Sequence, residues 1–183
     1  MRIIAGEMRG RQLTAVAGMQ TRPTSDKVKG AIFSVLGDKV LNARVLDLFA
    51  GTGNLAIEAL SRGAREAVLV EKSLDAHQVI RKNLEQIGVA HQAKLLLKDA
   101  FLYLKTYPHE VFDLIFLDPP YRQGLVTQAI SSLSENIYLT PTGVIIAETA
   151  QDEKINGDIY PFEIRKTGKY GDTLVWYLQR IDV

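Results

Sequence analysis

From residue 44 to residue 147, short apolar runs alternate with segments of helical spacing, and this rhythm constrains the fold more than any other feature of the chain. Val45-Leu46-Asp47-Leu48-Phe49 reads as a first strand and leads through Ala50-Gly51-Thr52-Gly53-Asn54 into a helix ending at Gly63. Residues 67–70 read as a second strand. The helix after it carries Ala76, Val79, Ile80, Leu84 and Ile87 on one face and stops at Gly88. Leu95-Leu96-Leu97, then residues 112–117, then residues 143–147 supply a third, fourth and fifth strand. Strands that are apolar throughout belong to parallel sheets covered by helices on both faces. Beyond them, residues 160–166 and 173–180 flank the turn-rich Gly168-Lys169-Tyr170-Gly171-Asp172, which predicts an antiparallel hairpin on one sheet edge.

The first 43 residues do not share this rhythm. Gly6 and Gly10 bracket a polar tip, which predicts a short hairpin. After Pro23, Thr24 or Ser25 can cap a helix that keeps Val28, Ile32, Val35 and Leu36 in helical spacing. Residues 1–43 are thus expected to form an appendage and 44–183 the main body. Charge divides at nearly the same place. Through Arg44 there are eight Lys/Arg against three acids, a balance of +5, and the remaining 14 basic and 18 acidic residues leave −4. A basic arm on a mildly acidic body predicts a polyanionic partner, with a solvated charged surface as the plainer alternative.

Absent residue types narrow the chemistry. The chain has no cysteine, which excludes a disulfide scaffold, a thiolate metal site and a cysteine nucleophile. No metal site is expected. The amino terminus lacks the apolar run of a signal peptide, and no later stretch is apolar enough to span a bilayer, so a soluble cytoplasmic protein without a membrane partner is expected.

In a doubly wound sheet the ligand sits beyond the carboxyl ends of the strands. Four predicted strands end in or beside a carboxylate there: Asp47, Glu71, Asp99 and Asp118. One such acid is usually a solvated loop residue, but four on one rim suit a polar, cationic or hydroxyl-rich ligand. Gly51 and Gly53 lack a Cβ and let backbone approach that ligand closely. With Ala56 they satisfy the dinucleotide fingerprint, and Glu71 lies at the spacing expected for ribose hydroxyls. The fingerprint leaves a nicotinamide cofactor and S-adenosylmethionine equally open. Asp118-Pro119-Pro120-Tyr121 adds a more specific signal. The two prolines lock two φ angles, an ionised Asp118 accepts hydrogen bonds only, and Tyr121 offers a flat face to a planar base. Asp118 with the Pro119 carbonyl can grip both hydrogens of an exocyclic amine.

Asp47-Leu48-Phe49-Ala50-Gly51-Thr52-Gly53 followed by Asp118-Pro119-Pro120-Tyr121 resembles the S-adenosylmethionine-dependent amino methyltransferases. Met1-Arg2-Ile3-Ile4-Ala5-Gly6, Arg9-Gly10-Arg11-Gln12-Leu13, Thr21-Arg22-Pro23-Thr24 and Ala59-Leu60-Ser61-Arg62-Gly63-Ala64 extend the resemblance to the bacterial small-subunit rRNA guanine-N2 methyltransferases of the RsmD family. The resemblance implies an α/β, Rossmann-like class I methyltransferase fold with a seven-stranded, mostly parallel sheet ending in an antiparallel hairpin. It implies S-adenosylmethionine as cofactor and 16S rRNA, free or in an assembling subunit, as partner. Asp47, Gly51 and Gly53 would surround the methionine part and Glu71 the ribose. Asp99, Ala100 and Phe101 would border the adenine, while Asp118, Pro119 and Tyr121 would hold the target base. Arg9, Arg11, Arg22 and Lys27 are expected to face RNA phosphates, with Arg9 and Arg11 reaching outward from the hairpin tip.

Competing readings keep parts of this pattern. A nicotinamide oxidoreductase would need an acid/base, and His77, His91 and His109 are scattered over helix and loop positions. Adenine N6 in nucleic acid, or a protein glutamine, would use the same loop on another amine. An RNA-binding module could keep the fold without chemistry.

Overall fold

In the computed structural model, which describes residues 1–16 and 25–181, the apolar runs become strands β1 (Arg44–Asp47), β2 (Glu66–Glu71), β3 (Ala93–Leu97), β4 (Phe112–Leu117) and β5 (Leu139–Ala150). The tail adds β6 (Phe162–Tyr170) and β7 (Thr173–Arg180). All seven form one sheet in the order β3-β2-β1-β4-β5-β7-β6, parallel through β5 and antiparallel in the last two pairings. The expected tail hairpin is present, with a tighter turn than expected. Gly168, Lys169 and Tyr170 pair with Val175, Leu174 and Thr173, which leaves only Gly171, at φ +60°, and Asp172 to turn the chain.

Side chains alternate between the sheet's two faces, so each uninterrupted apolar run serves two cores. On β4, Leu114 and Phe116 enter one cluster while Ile115 and Leu117 enter the other. Helices α1 (Asp26–Leu36), α2 (Asn54–Ser61) and α3 (Leu74–Ile87) cover the first face, and α4 (Ala100–Thr106) and α5 (Leu125–Ser134) the second. Local signals set their ends. Ser25 Oγ accepts from Val28 N–H to cap α1, Ser73 caps α3, and Gly88 at φ +86° stops it.

The amino-terminal stretch forms the expected hairpin: Ile3 N–H donates to Arg11 O (3.0 Å), and Gly10 N–H to Ile3 O (2.8 Å). It is no free appendage in packing terms, because Ile3, Leu13, Val28, Ile32 and Phe33 share a core with Val45, Ile57 and Leu60. Its tip lies against the end of α2, where Glu7 N–H donates to Ser61 O at 2.8 Å and Met8 N–H to Ser61 Oγ at 3.1 Å. The approach is so close that a Cβ on Gly6 would lie 1.8 Å from Ser61 O. Arg11 departs from its expected outward course. Its guanidinium donates to Ile87 O at 2.7 Å and to Gln86 O, the unsatisfied carbonyl end of α3. Arg9 and Lys27 are exposed, and Arg22 lies outside the described residues.

A fully buried ion pair fastens these parts together. Lys29 Nζ stands 3.1 Å from Glu58 Oε2 and also donates to Arg2 O (2.6 Å) and Asn54 Oδ1 (2.7 Å). Glu58 in turn accepts from Ile4 N–H, Ala5 N–H and Arg62 Nε. Burial lowers the Lys29 pKa, and the Glu58 charge pulls it back up. Removing one member of a buried pair costs about 3–5 kcal/mol, since the other charge stays behind. Lys29→Met is expected to lose stability of that size in denaturant unfolding. Lys27→Met, two residues away on the exposed side, is expected to change it by less than about 0.5 kcal/mol.

Candidate active site

The strand order reverses at β1: the chain runs outward through β2 to β3, then returns to β4 on the other side. Loops after β1 and β4 therefore diverge and leave a crevice at their carboxyl ends. A cavity of ≈ 1240 Å³ opens there, lined by Asp47, Gly51, Glu71, Asp99, Ala100, Phe101, Asp118, Pro119 and Tyr121 among others. Nine residues singled out in the sequence thus meet in one place. Gly53 does not line it. At φ +77° it begins α2, and a Cβ there would lie 3.2 Å from Ile57 Cδ1 and 3.4 Å from Ile80 and Leu69 atoms, so its absence lets α2 close on the sheet. Arg9, Arg11 and Lys27 are also outside the lining.

At one end of the cavity, Glu71 holds the glycine loop to the tip of β2. Its Oε2 accepts from Gly51 N–H (2.8 Å) and its Oε1 from Ser73 N–H (2.7 Å). Asn83 of α3 ties the same loop to the amino-terminal segment, donating to Thr52 O and Thr14 O at 3.0 Å each. That tie brings Ala15 and Val16 to the cavity wall.

Asp47 is only 2% exposed, and its Oδ1 has no hydrogen-bond partner among the described residues. Burial, then the nearby charges of Asp118 and Glu71, push its pKa up from 3.8 to about 8, while N–H groups of Ala56 and Phe49 offset part of the rise. A buried, unpaired carboxyl oxygen facing a cavity suits a cationic or N–H-bearing ligand group.

Further along, Asp99 spends Oδ1 on capping α4, accepting from Phe101 N–H (2.9 Å) and Leu102 N–H (3.1 Å). The Phe101 ring meets Phe49 edge-on with centroids 6.2 Å apart, which gives the cavity an aromatic wall. At the other end, the Tyr121 hydroxyl lies 3.1 Å from Thr173 Oγ1 at the start of β7. Arg122, at φ +60°, donates its N–H to Glu153 Oε2 (2.9 Å) and pairs with Asp152, so the loop after Pro120 is held to the end of β5.

The sequence reading missed Phe49, Thr173 and Glu148 on this wall. Glu148 carries the same signal as the other four acids, a carboxylate at the carboxyl end of a predicted strand.

The family model described as "Conserved hypothetical protein 95" matches residues 1–179. A Haemophilus influenzae protein named ribosomal RNA small subunit methyltransferase D is 38% identical over 85% of this chain and 81% of that one. The chain belongs to the RsmD family. The solved structure of the Escherichia coli yhhF protein aligns with a TM-score of 0.85 and 31% identity, covering 98% of this chain and 97% of that chain. An RNA methyltransferase of Salinibacter ruber, solved with S-adenosyl-L-homocysteine, shares the fold at a TM-score of 0.66 and 20% identity, over 88% of this chain and 96% of that one. Membership of the RsmD methyltransferases sets the nicotinamide alternative aside, and the fold is the class I methyltransferase fold. Among the described residues, no helix is long and apolar enough to cross a membrane.

For this RsmD-family chain the raised Asp47 pKa has a measurable sign. A carboxyl whose folded pKa is raised contributes stability that is fully present below its unfolded pKa and is lost as pH rises through the folded one. The Asp47 contribution is therefore greatest below about pH 4 and declines toward pH 8. Asp47→Asn keeps the shape but cannot ionise. Denaturant unfolding from pH 5 to pH 8 is expected to show the variant gaining on the parent protein with each step upward.

Proposed function

We propose that the chain transfers a methyl group from S-adenosylmethionine to the exocyclic N2 amine of a guanine in 16S ribosomal RNA. One observation carries this reading: Asp118-Pro119-Pro120-Tyr121 and the Asp47–Gly51–Glu71 end share a single cavity, in a chain whose Haemophilus influenzae relative is named for small-subunit ribosomal RNA methylation. The residues fit the cofactor. The unpaired Asp47 oxygen suits the methionine ammonium, Glu71 has lone pairs left for ribose hydroxyls, and the Phe49–Phe101 wall beside Asp99 and Ala100 suits adenine. When bound, S-adenosylmethionine supplies a methyl group already activated on a sulfonium.

The protein's task is then alignment more than acid–base chemistry. An aryl amine is a weak nucleophile because its lone pair is delocalised into the ring. Asp118 and the Pro119 carbonyl accept its two hydrogens, which favours a pyramidal nitrogen with the lone pair directed away from the base. Tyr121, fixed through Thr173, gives the base a flat surface once it has left its stack, a step that costs a few kcal/mol. Glu71, by holding Gly51, keeps the cofactor loop in register with that base.

Mass mapping of methylated nucleosides in small-subunit rRNA, from cells with and without the gene, tests the assignment. N2-methylguanosine is expected to disappear at one position in the deletion strain. Loss of N6-methyladenosine instead would move the chemistry to another amine. In single-turnover assays, Asp118→Ala is expected to reduce transfer by at least about 10²-fold. S-adenosylmethionine affinity by calorimetry should change little, because the lost acceptor serves the base.

Arg9 and Lys27, exposed on the basic segment, are proposed to meet RNA phosphates, together with Arg22. Each lost phosphate contact in single-stranded RNA flattens the log–log salt dependence of binding by about 0.7. Arg9→Ala is expected to show that change without loss of stability. Arg11→Ala should do the reverse, costing about 1 kcal/mol through the carbonyl end of α3 and leaving the slope unchanged.

A further inference from the structure

We propose that Glu148 accepts the ring N1–H of the target guanine and thereby selects guanine over purines that lack that hydrogen. This assignment rests on the guanine-N2 reading above and names the residue that would enforce it.

The placement comes from strand register. Leu117 of β4 pairs with Ala147 of β5, so the next residues, Asp118 just past the end of β4 and Glu148 within β5, stand side by side. Ile146 belongs to the core cluster that contains Phe116, and Ala147 to the opposite one. Alternation returns Glu148 to the face of Ile146. Val45 lies on that face too, so Asp47, two residues on, shares it. Glu148 is 2% exposed and lines the same cavity as Asp118 and Tyr121. The unpaired, buried Asp47 oxygen on this cavity independently marks it as a site for a group bearing N–H donors.

The chemistry of purine edges does the rest. Guanine presents a ring N1–H directly beside its exocyclic N2 amine. Adenine and 2-aminopurine present a lone pair at N1 instead, beside N6 and N2 amines respectively. Asp118 and the Pro119 carbonyl account for both amine hydrogens, which leaves the neighbouring ring position for the neighbouring strand. A carboxylate there can only accept. Opposite N1–H it forms a charge-assisted hydrogen bond. Opposite a lone pair it sets acceptor against acceptor, which is how a polar site rejects an analogue lacking the expected donor.

The test uses a synthetic RNA spanning the guanine found by mass mapping, made with either guanine or 2-aminopurine at that position, so that the N2 amine is kept while N1–H is removed. The parent protein is expected to prefer guanine by about 100-fold in single-turnover methyl transfer. Glu148→Gln, whose amide oxygen still accepts but without charge assistance and whose amide N–H can donate to a ring lone pair, is expected to lower transfer to guanine by about 10-fold while leaving transfer to 2-aminopurine unchanged or faster. Unchanged S-adenosylmethionine affinity in the variant would show that the fold and the cofactor end are intact. An equal loss on both substrates would overturn the assignment and make Glu148 a structural residue. So would a parent protein that methylates 2-aminopurine as fast as guanine, a comparison that needs no variant. A parent protein that modifies no guanine N2 would instead bring down the functional reading, and this assignment with it.

Discussion

One buried carboxylate holds the amino-terminal half of this molecule together. Glu58 sits inside α2, a helix whose eight residues are all buried, and gathers donors from the hairpin backbone, from Lys29 on α1 and from Arg62 one turn on. Lys29 passes the connection to Asn54, the first residue after the glycine loop. The basic hairpin, the helix behind it and the loop facing the cofactor cavity are thus parts of one hydrogen-bonded unit. A buried charge is costly unless its partners are complete, so the arrangement tolerates little relative sliding of the three segments. An RNA held by the hairpin would therefore stand in a fixed relation to the cavity.

Carboxylates set the character of that cavity. Asp47, Asp118 and Glu148 come from three neighbouring strands, β1, β4 and β5, and Glu71 from the other neighbour of β1. Burial and the repulsion of two neighbouring acids are visible at Asp47. Structural demands absorb part of this negative charge: Glu71 holds two backbone N–H groups and Asp99 caps α4. Positively charged or N–H-rich ligands would suit such a surface. A sulfonium-bearing, ammonium-bearing cofactor and an amine-bearing base are both of that kind.

Much of this was legible in the residues. The four acids were found because strand ends in a parallel sheet share one rim, and the tail hairpin because its two runs flank a turn-rich segment. Other features depend on partners far apart in the chain. Glu58 reads as an ordinary polar residue on a helix until Lys29, Ile4 and Ala5 arrive from 29 to 54 positions away. Arg11 looks like a free charge at a glycine-bracketed tip until α3 delivers its carbonyl end, 75 residues on. Gly53 matches a ligand-binding fingerprint and also leaves room for helix packing, two uses that need the same missing Cβ. Glu148 followed the rule that identified the other acids. It stands directly after the apolar run 143–147, although the strand itself continues to Ala150.

The order of strands also carries a consequence for how the molecule comes into being. β7 is synthesised after β6, yet it lies between β5 and β6 in the sheet. β6 therefore has no place to attach until the strand made after it has been inserted. Thr173, which positions Tyr121, and Asp172, whose carbonyl accepts from Gln151 N–H, arrive with that same strand or just before it. A nascent chain can assemble β1 to β4 and the cofactor end while its carboxyl terminus is still being made. The end of the cavity that holds Tyr121 closes only once β7 is in place. Biosynthesis thus separates the two ends of the cavity in time.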